Sequence, residues 1–310
     1  MRAWREGAAL GLLLLGGAGL VRYPAESAAA VQDALALCFE TVIPALFPFF
    51  VLSSLAVQSP LPRLLSRALA GAMQPLFGVG GAGAGALILG LLGGYPVGAR
   101  TAAALCARGE ISREEGEQLL AFCNNSGPGF FLGVCGTAVF GSVRAGAYLY
   151  LIHVLSALIT GLLLRRPCAR AKRRAEPPRA EAFRLGEALS AAVQSSFSAV
   201  WSVCGFVVFF MVLLRLAALV PAIAALTPMA RAALFGFVEM TNGVTALPST
   251  REGFVLCAAI MNWGGLSVHA QTRTMLAGSG LSARRCFVGK AVQTLAGIPL
   301  ALAASARLFG

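Results

Sequence analysis

Six apolar runs, each long enough to enter or cross a lipid bilayer, follow one another along this 310-residue chain. They cover residues 7–21, 35–57, 83–107, 148–164, 195–220 and 283–304. A crossing helix needs about 20 apolar residues, and several of these runs are shorter or interrupted. Only 12% of the residues are charged, whereas soluble proteins keep about a quarter. The pattern therefore predicts an all-α, polytopic membrane protein, because hydrocarbon offers the backbone no hydrogen bonds.

Polar breaks interrupt the apolar sequence at corresponding places in the two halves. In the first half they read "GLLGGYP" and "AFCNNSG", and in the second half "GFVEMTN" and "AIMNWGG". Aligning these stretches without a gap places Asn124 over Asn262 and Gly127 over Gly265. The shared order predicts two pseudo-repeats with re-entrant hairpins and broken helices. Such paired interruptions point to the substrate site of a transporter.

The chain divides into four parts on this basis. Residues 1–82 hold N-terminal membrane helices and an interfacial amphipathic helix at 59–78, and residues 83–164 form the first repeat with its closing transmembrane helix. Residues 165–184 form a basic linker, and residues 185–310 form the second repeat with its flanking transmembrane helices. The N-terminal run resembles a secretory signal, but we favour a retained helix because the rest of the chain is embedded in the membrane.

Positive charge is concentrated in the linker between the halves. Residues 165–184 hold eight of the 25 basic residues in a chain of net charge +12. Between apolar spans such a cluster indicates a cytoplasmic loop that contacts anionic headgroups, not a nucleic-acid site. The start of the chain is also basic, with Arg2 and Arg5, and is expected on the same side of the membrane.

The break in the first half carries side chains suited to binding a small polar solute. Asn124, Asn125 and Ser126 donate and accept hydrogen bonds, and Gly127 lets the backbone approach a ligand closely. Tyr95, in the preceding break, is placed to flank an aromatic ring. The alternative is an ordinary turn at the membrane surface.

The second half supplies the remaining candidates. Glu239 stands in an apolar run without a basic neighbour, and an intramembrane carboxylate is by default a functional residue. It is expected to bind a coupling cation or to relay a proton, unless it merely marks where the segment leaves the bilayer. Further predicted substrate contacts are Thr241, Asn242, Asn262, Trp263, His269 and Gln271. Weaker candidates are Glu40, Arg100 and Arg273.

No pattern typical of an enzyme is present. The sequence has no P-loop and no G-x-S-x-G, and its glycine-rich stretch lacks the context of a dinucleotide site. The eight cysteines are scattered without C-x-x-C, and the two histidines, His153 and His269, have no partner at ligand spacing. We expect no metal site, no cofactor, no disulfide and no catalytic activity.

Four motifs in order, "GGYPVGA", "FCNNSGP", "EMTNG" and "GGLSVHAQ", resemble those of the sporulation integral membrane protein family, the YlbJ-like proteins of stage V sporulation. The resemblance covers residues 83–271. It implies a Gate domain in each repeat and a fold related to concentrative nucleoside transporters. It also implies movement of dipicolinic acid across the outer forespore membrane during endospore formation.

The leading hypothesis is a transporter for a small anionic metabolite, with dipicolinate implied by the resemblance. Amide groups and helix N-termini suit carboxylates. Two alternatives stay open, namely a nucleoside or other solute transporter coupled to H⁺ or Na⁺, and a non-transporting membrane scaffold in sporulation. Besides the substrate, membrane lipids are the expected partners, and homo-oligomer formation is left open.

Overall fold

The computed structural model describes residue 14, residues 16–168 and residues 184–309. A helical segment over residues 16–22 leads into a long helix. The helices that follow are α1 (Pro24–Gln58), α2 (Leu61–Phe77), α3 (Ala84–Gly93), α4 (Val97–Ala107), α5 (Arg113–Leu120), a π-helix (Phe130–Val139), α6 (Val143–Leu163), α7 (Leu185–Ala217), α8 (Pro221–Ala224), α9 (Pro228–Val238), α10 (Met240–Thr245), α11 (Arg251–Trp263), α12 (Gly265–Met275) and α13 (Arg284–Leu308).

Five helices among the described residues are long and apolar enough to cross a membrane. They are Pro24–Gln58, Val143–Leu163, Leu185–Ala217, Arg251–Met275 and Arg284–Leu308. A sixth candidate is the pair Ser66–Phe77 and Gly81–Gly93, which is bent by 110°. The described part of the chain contains no strand, so the prediction of an all-α, polytopic membrane protein is confirmed.

Four of the six predicted apolar runs coincide with candidate spans, and one does not. The run at 83–107 contains the predicted break "GLLGGYP", and the structure divides the run there into α3 and α4. Gly94 separates the two with φ +74°, a left-handed conformation that ends a helix. The run at 7–21 lies largely outside the described residues, as does most of the basic linker.

Helix α5 begins where the sequence places a capping signal. The Ser112 hydroxyl accepts a hydrogen bond from the N–H of Glu115 at 3.1 Å, and the Glu115 carboxylate accepts one from the N–H of Ser112 at 2.8 Å. The other Glu115 oxygen accepts from the N–H of Gly80 at 2.7 Å. This capping box therefore also ties α5 to the segment that follows α2.

The two halves have the same order of elements. Each contains a helix pair with a break, a second helix with a break, and a long apolar helix. In the first half these are α3 with α4, then α5 with the π-helix, then α6. In the second half they are α9 with α10, then α11 with α12, then α13. Helix α11 packs against α13, α13 packs against α6, and α1 packs against α7.

Candidate functional site

The breaks of both halves lie against one another in the interior. A Cβ atom added to Gly94 would lie 3.1 Å from the backbone nitrogen of Gly127. One added to Gly264 would lie 3.0 Å from the hydroxyl of Tyr95, and one on Gly265 would lie 3.0 Å from the nitrogen of Met240. Such close approach requires glycine. The segments at 94–96, 124–127, 239–240 and 264–265 are therefore neighbours in space, although far apart in sequence.

Three glycines contact the chain immediately before the break at residues 124–127. Cβ atoms on Gly90 and Gly98 would lie 1.7 and 2.0 Å from the carbonyl oxygen of Cys123. One on Gly289 would lie 1.9 Å from the carbonyl oxygen of Ala121. Helices α3, α4 and α13 thus pack directly on the backbone of residues 121–123. The asparagines that follow therefore extend from a closely packed segment.

Asn125 connects this loop to a buried cation on α13. Its side-chain oxygen accepts hydrogen bonds from the Lys290 ammonium at 3.0 Å and from the Gln293 amide at 3.3 Å. Lys290 also donates to the Gln293 oxygen at 2.8 Å, while the Asn125 amide donates to the carbonyl of Phe122 at 2.7 Å. Asn125, Lys290 and Gln293 are all buried. The predicted binding residue Asn125 therefore serves as a ligand of the ammonium group.

His153 joins the two halves at the same place. Its Nε2 accepts a hydrogen bond from the N–H of Ser126 at 3.2 Å, so this ring nitrogen carries no proton. The Nδ1–H then donates to the Asn262 side-chain oxygen at 2.6 Å. Ser156 donates to the same oxygen at 3.3 Å. The imidazole is held neutral in this tautomer and bridges the predicted residues Ser126 and Asn262.

Asn124 contacts the second half of the chain through residues other than Lys290 and His153. Its amide donates to the Thr272 hydroxyl at 2.9 Å and lies 3.9 Å from the sulfur of Cys286. Its side-chain oxygen is buried without a hydrogen-bond partner. The same holds for the hydroxyl of Tyr95 and the side-chain oxygen of Asn242. Buried polar atoms are seldom left unpaired, so these three mark positions that a polar ligand or water can use.

Lys290 has no carboxylate partner in the described part of the chain. The ion pairs found there involve the exposed or half-buried acids Asp33, Glu110, Glu117 and Glu187. The ammonium instead faces neutral oxygens and lies 5.1 Å from the centre of the Tyr95 ring, a cation–π contact. We name the buried side chains Asn124, Asn125, Ser126, His153, Asn262, Lys290 and Gln293 the polar centre. Its net charge is positive when Lys290 is protonated.

Glu239 lies at the start of α10, close to this centre but not bonded to it. Its carboxylate accepts a hydrogen bond from the N–H of Asn242 at 2.7 Å and so caps the helix. The Asn242 amide donates to the carbonyl of Val207 on α7 at 3.4 Å. Glu239, Thr241 and Asn242 are all buried. These three predicted residues therefore lie together at the break between α9 and α10, which we call the second break.

The other sequence candidates make no hydrogen bond to the polar centre among the described residues. Trp263 is half-buried, donates to the carbonyl of Phe237 at 3.0 Å and stacks on that ring. His269 packs against Trp263 and Phe287, and Gln271 is half-buried on α12 without a hydrogen bond among the described residues. The geometry groups Trp263 with lipid-facing aromatic residues. Exposed positions are taken by Glu40, Arg100 and Arg273.

Two small cavities reach the polar centre from the contact between α1 and α7. The inner one, of about 40 Å³, is lined by Ser126, Gly127, Tyr95 and Ser53, among others. The outer one, of about 70 Å³, shares Ser53 and Tyr95 and continues to Ser54 and Ser195. Both are far smaller than the roughly 300–1,000 Å³ of ligand pockets. The cavities at the polar centre therefore have room for water only.

Sequence reasoning missed Lys290, Gln293 and His153. A signal for Lys290 was present, because it is an ionisable residue within an apolar run. The same signal was present for His153, within the apolar run at 148–164, whereas Gln293 is not ionisable. Among the described residues, no group of three or more His, Cys, Asp or Glu side chains is arranged to hold a metal ion.

Comparison with known proteins gives one informative match. The chain is similar to the sporulation integral membrane protein YlbJ of Bacillus subtilis (strain 168), with 28% identity over 313 aligned residues. The alignment covers 89% of this chain and 77% of the relative. No family model matches the chain, and no solved structure does.

Proposed function

Because the chain belongs to the YlbJ-like family of sporulation integral membrane proteins, we propose that it carries a small anionic metabolite across a membrane during sporulation. The proposed substrate is dipicolinate, and the proposed location is the outer forespore membrane. The proposed role is transport without catalysis.

The observation that carries this proposal is the Lys290 ammonium in the polar centre. A buried charge is costly in a membrane protein and persists there when function uses it. This cation is held by neutral amide oxygens and lacks a carboxylate among the described residues. A substrate carboxylate would supply the missing negative charge and form a charge-assisted hydrogen bond. The site therefore favours an anion over a neutral nucleoside.

The matching order of elements in the two halves supports a transporter architecture. We propose that the halves are pseudo-repeats related to those of concentrative nucleoside transporters, each with a re-entrant hairpin and a broken helix. Chain breaks at membrane depth are stable only where protein or a watery cavity satisfies the backbone. In each half the breaks adjoin the polar centre, as expected when two repeats build one substrate site. A scaffold protein would have no use for this arrangement.

Glu239 is the proposed coupling residue. It is a buried carboxylate that accepts a hydrogen bond from the backbone N–H of Asn242 and makes no hydrogen bond to Lys290. Beside an anionic substrate a charged Glu239 would be repulsive. We therefore propose that it binds a proton or a cation that moves with the substrate.

Uptake into proteoliposomes tests the proposed function. The purified protein is reconstituted, and accumulation of labelled dipicolinate and of labelled uridine is measured with and without gradients of H⁺ or Na⁺. We expect accumulation of dipicolinate only, and competition by other aromatic dicarboxylates. Uptake of uridine alone would favour the nucleoside alternative. Absence of any uptake, with intact and monodisperse protein, would favour the scaffold.

A further inference from the structure

Helices α1 and α7 meet along a seam that contains hydrogen bonds as well as apolar contacts. The hydroxyls of Ser54 and Ser195 lie 3.0 Å apart across it. Beside the seam, Ser53 of α1 donates to the carbonyl of Leu92 on α3 at 2.8 Å. At the outer end the Gln58 amide donates to the carbonyl of Ala188 at 3.3 Å. Elsewhere the two helices join through aromatic contacts such as Phe39 with Trp201.

The two cavities run along this seam in series. Phe50, Ser53 and Tyr95 line both of them and therefore lie where the outer cavity adjoins the inner one. The inner cavity ends at Ser126 and Gly127, which belong to the break that holds the polar centre. The hydroxyls of Ser54, Ser195, Ser53 and Ser126 thus follow the two cavities from the seam to the loop that contains Asn125, which binds Lys290.

Tyr95 stands between the cavities and Lys290. One face of its ring meets the ammonium group at 5.1 Å, while the same residue lines both cavities. Its hydroxyl has no hydrogen-bond partner and lies against Gly264, where a Cβ atom would come within 3.0 Å. No hydrogen bond therefore holds the ring over the cation. The neighbouring Asn124 oxygen, buried and unpaired, is an independent sign that a polar ligand belongs here.

We propose that the seam between α1 and α7 is the route by which a carboxylate-bearing solute reaches Lys290, with the Tyr95 ring as the barrier that swings aside. The solute enters as the Ser54–Ser195 contact opens and exchanges water for serine hydroxyls along the way. When the ring moves, a carboxylate replaces the cation–π contact on Lys290. The inference rests on the proposed transport function for its substrate class, but the route itself is testable by chemical access alone.

The primary test measures access to Ser126→Cys by a small water-soluble methanethiosulfonate reagent. The background carries Cys106→Ser and Cys168→Ser, because the remaining six native cysteines are buried. Ser54→Cys and Ser195→Cys are added, and oxidation joins them across the seam. We expect the cross-link to slow labelling at position 126 at least tenfold, and a reductant to restore it. Full cross-linking with unchanged labelling would overturn the proposed route.

Variants of the barrier refine the test. Tyr95→Ala removes the ring and should speed labelling of Ser126→Cys at least tenfold. Tyr95→Phe keeps the ring and loses only a hydroxyl without a partner, so its labelling rate should match that of Tyr95. Equal labelling rates for all three residues would overturn the role of the ring.

A transport measurement gives the second readout. A bulky maleimide on Ser195→Cys should block uptake of dipicolinate at least tenfold. The same reagent on Ser198→Cys, an exposed residue on α7 that lines neither cavity, should leave uptake unchanged. Modified Ser195→Cys with normal uptake would contradict the route. Absence of uptake by the unmodified protein would count against the transport function, while the labelling experiment would still decide the route.

Discussion

Residue 290 differs from most other basic residues of the chain because it is a lysine and not an arginine. Lysine occurs only at positions 172 and 290 among 25 basic residues, and arginine supplies all the others. An ammonium is a compact point charge that can lose its proton when buried, whereas a guanidinium stays charged and needs a planar set of acceptors. At Lys290 the acceptors are two amide oxygens on one side and an aromatic ring on the other.

Lys290→Gln should weaken transport without unfolding the protein. The glutamine amide can still donate to Asn125, but it cannot form the charge-assisted hydrogen bond to a carboxylate, which is worth about 1.5–3 kcal/mol. We expect the KM for dipicolinate to rise roughly 10- to 100-fold. Initial uptake rates measured against dipicolinate concentration give this value, and the thermal midpoint in detergent reports folding.

Lys172→Gln is the matched control for this variant, because it removes the other lysine of the chain. It should leave the KM unchanged. A Lys290→Gln protein with the normal KM and a normal thermal midpoint would show that the cation is structural and does not contact the substrate.

Glu239→Gln tests coupling at the second break. Glutamine keeps an oxygen that can accept from the N–H of Asn242, so α10 should remain capped. It cannot bind a transferable proton or attract a cation. We expect equilibration of dipicolinate across the membrane but loss of accumulation against a gradient. Uptake followed at several pH values, with and without an imposed gradient, measures both quantities.

The comparison variant is Glu239→Leu, which removes the cap as well as the charge. It should lose uptake altogether and lower the thermal midpoint. Accumulation by Glu239→Gln that equals the unmodified protein at every pH would leave Glu239 with only its capping role.

At the scale of elements, the break at residues 124–127 is held in place because helices pack directly on the backbone that precedes it. Gly98→Ala and Gly289→Ala would drive a methyl group into the carbonyls of Cys123 and Ala121, which belong to the backbone and cannot rotate away. Overpacking of this kind costs about 1–3 kcal/mol of the free energy of unfolding, or more when backbone must shift. We expect lower thermal midpoints in detergent for both variants, together with reduced uptake.

Gly205→Ala provides the control on α7, where an added Cβ atom meets nothing within 4 Å. Alanine favours the helix by about 0.5–1 kcal/mol over glycine, so its thermal midpoint should hold or rise slightly. Equal losses in all three variants would mean that contact with residues 121–123 does not determine the result.

The positions of the helix breaks were predictable from the sequence, but the angles between the helices on either side of them were not. Gly94 and Gly264 interrupt helices because glycine adopts positive φ without strain, and that preference is local. The run at 83–107 was predicted to break at residues 93–96, and residues 94–96 separate α3 from α4. Hydropathy gives no bend angle, since the 110° turn between Ser66–Phe77 and Gly81–Gly93 depends on what packs around it.

At the scale of the whole molecule, the orientation in the membrane follows from charge. Excess arginine and lysine in short loops keeps those loops in the cytoplasm. Cys168, half-buried at the start of the basic linker, is a native reporter of its side. In intact bacterial cells that express the Cys106→Ser variant, a membrane-impermeant maleimide should label Cys168 only after permeabilisation.

Labelling of Cys168 should be slow near neutral pH, because burial raises the pKa of its thiol, with the nearby Glu115 carboxylate adding to the effect. A raised pKa leaves less thiolate at a given pH, so the rate should increase as the pH rises from 7 to 8.5. Cys168→Ser identifies background signal. Labelling in intact cells before permeabilisation would place the linker outside and reverse the assignment.

The sequence by itself determined the membrane class, the all-α architecture, the position of the breaks and the asparagines beside them, since each depends on local hydropathy or local backbone preference. Only the tertiary structure decided which residues form the polar centre. Asn125 and Lys290 are 165 positions apart, and His153 lies 109 positions from Asn262. These contacts form because glycines let helices α3, α4 and α13 pack directly on the chain at residues 121–123. Hydrogen bonding and charge compensation depend on distance in space, which the order of residues along the chain does not give.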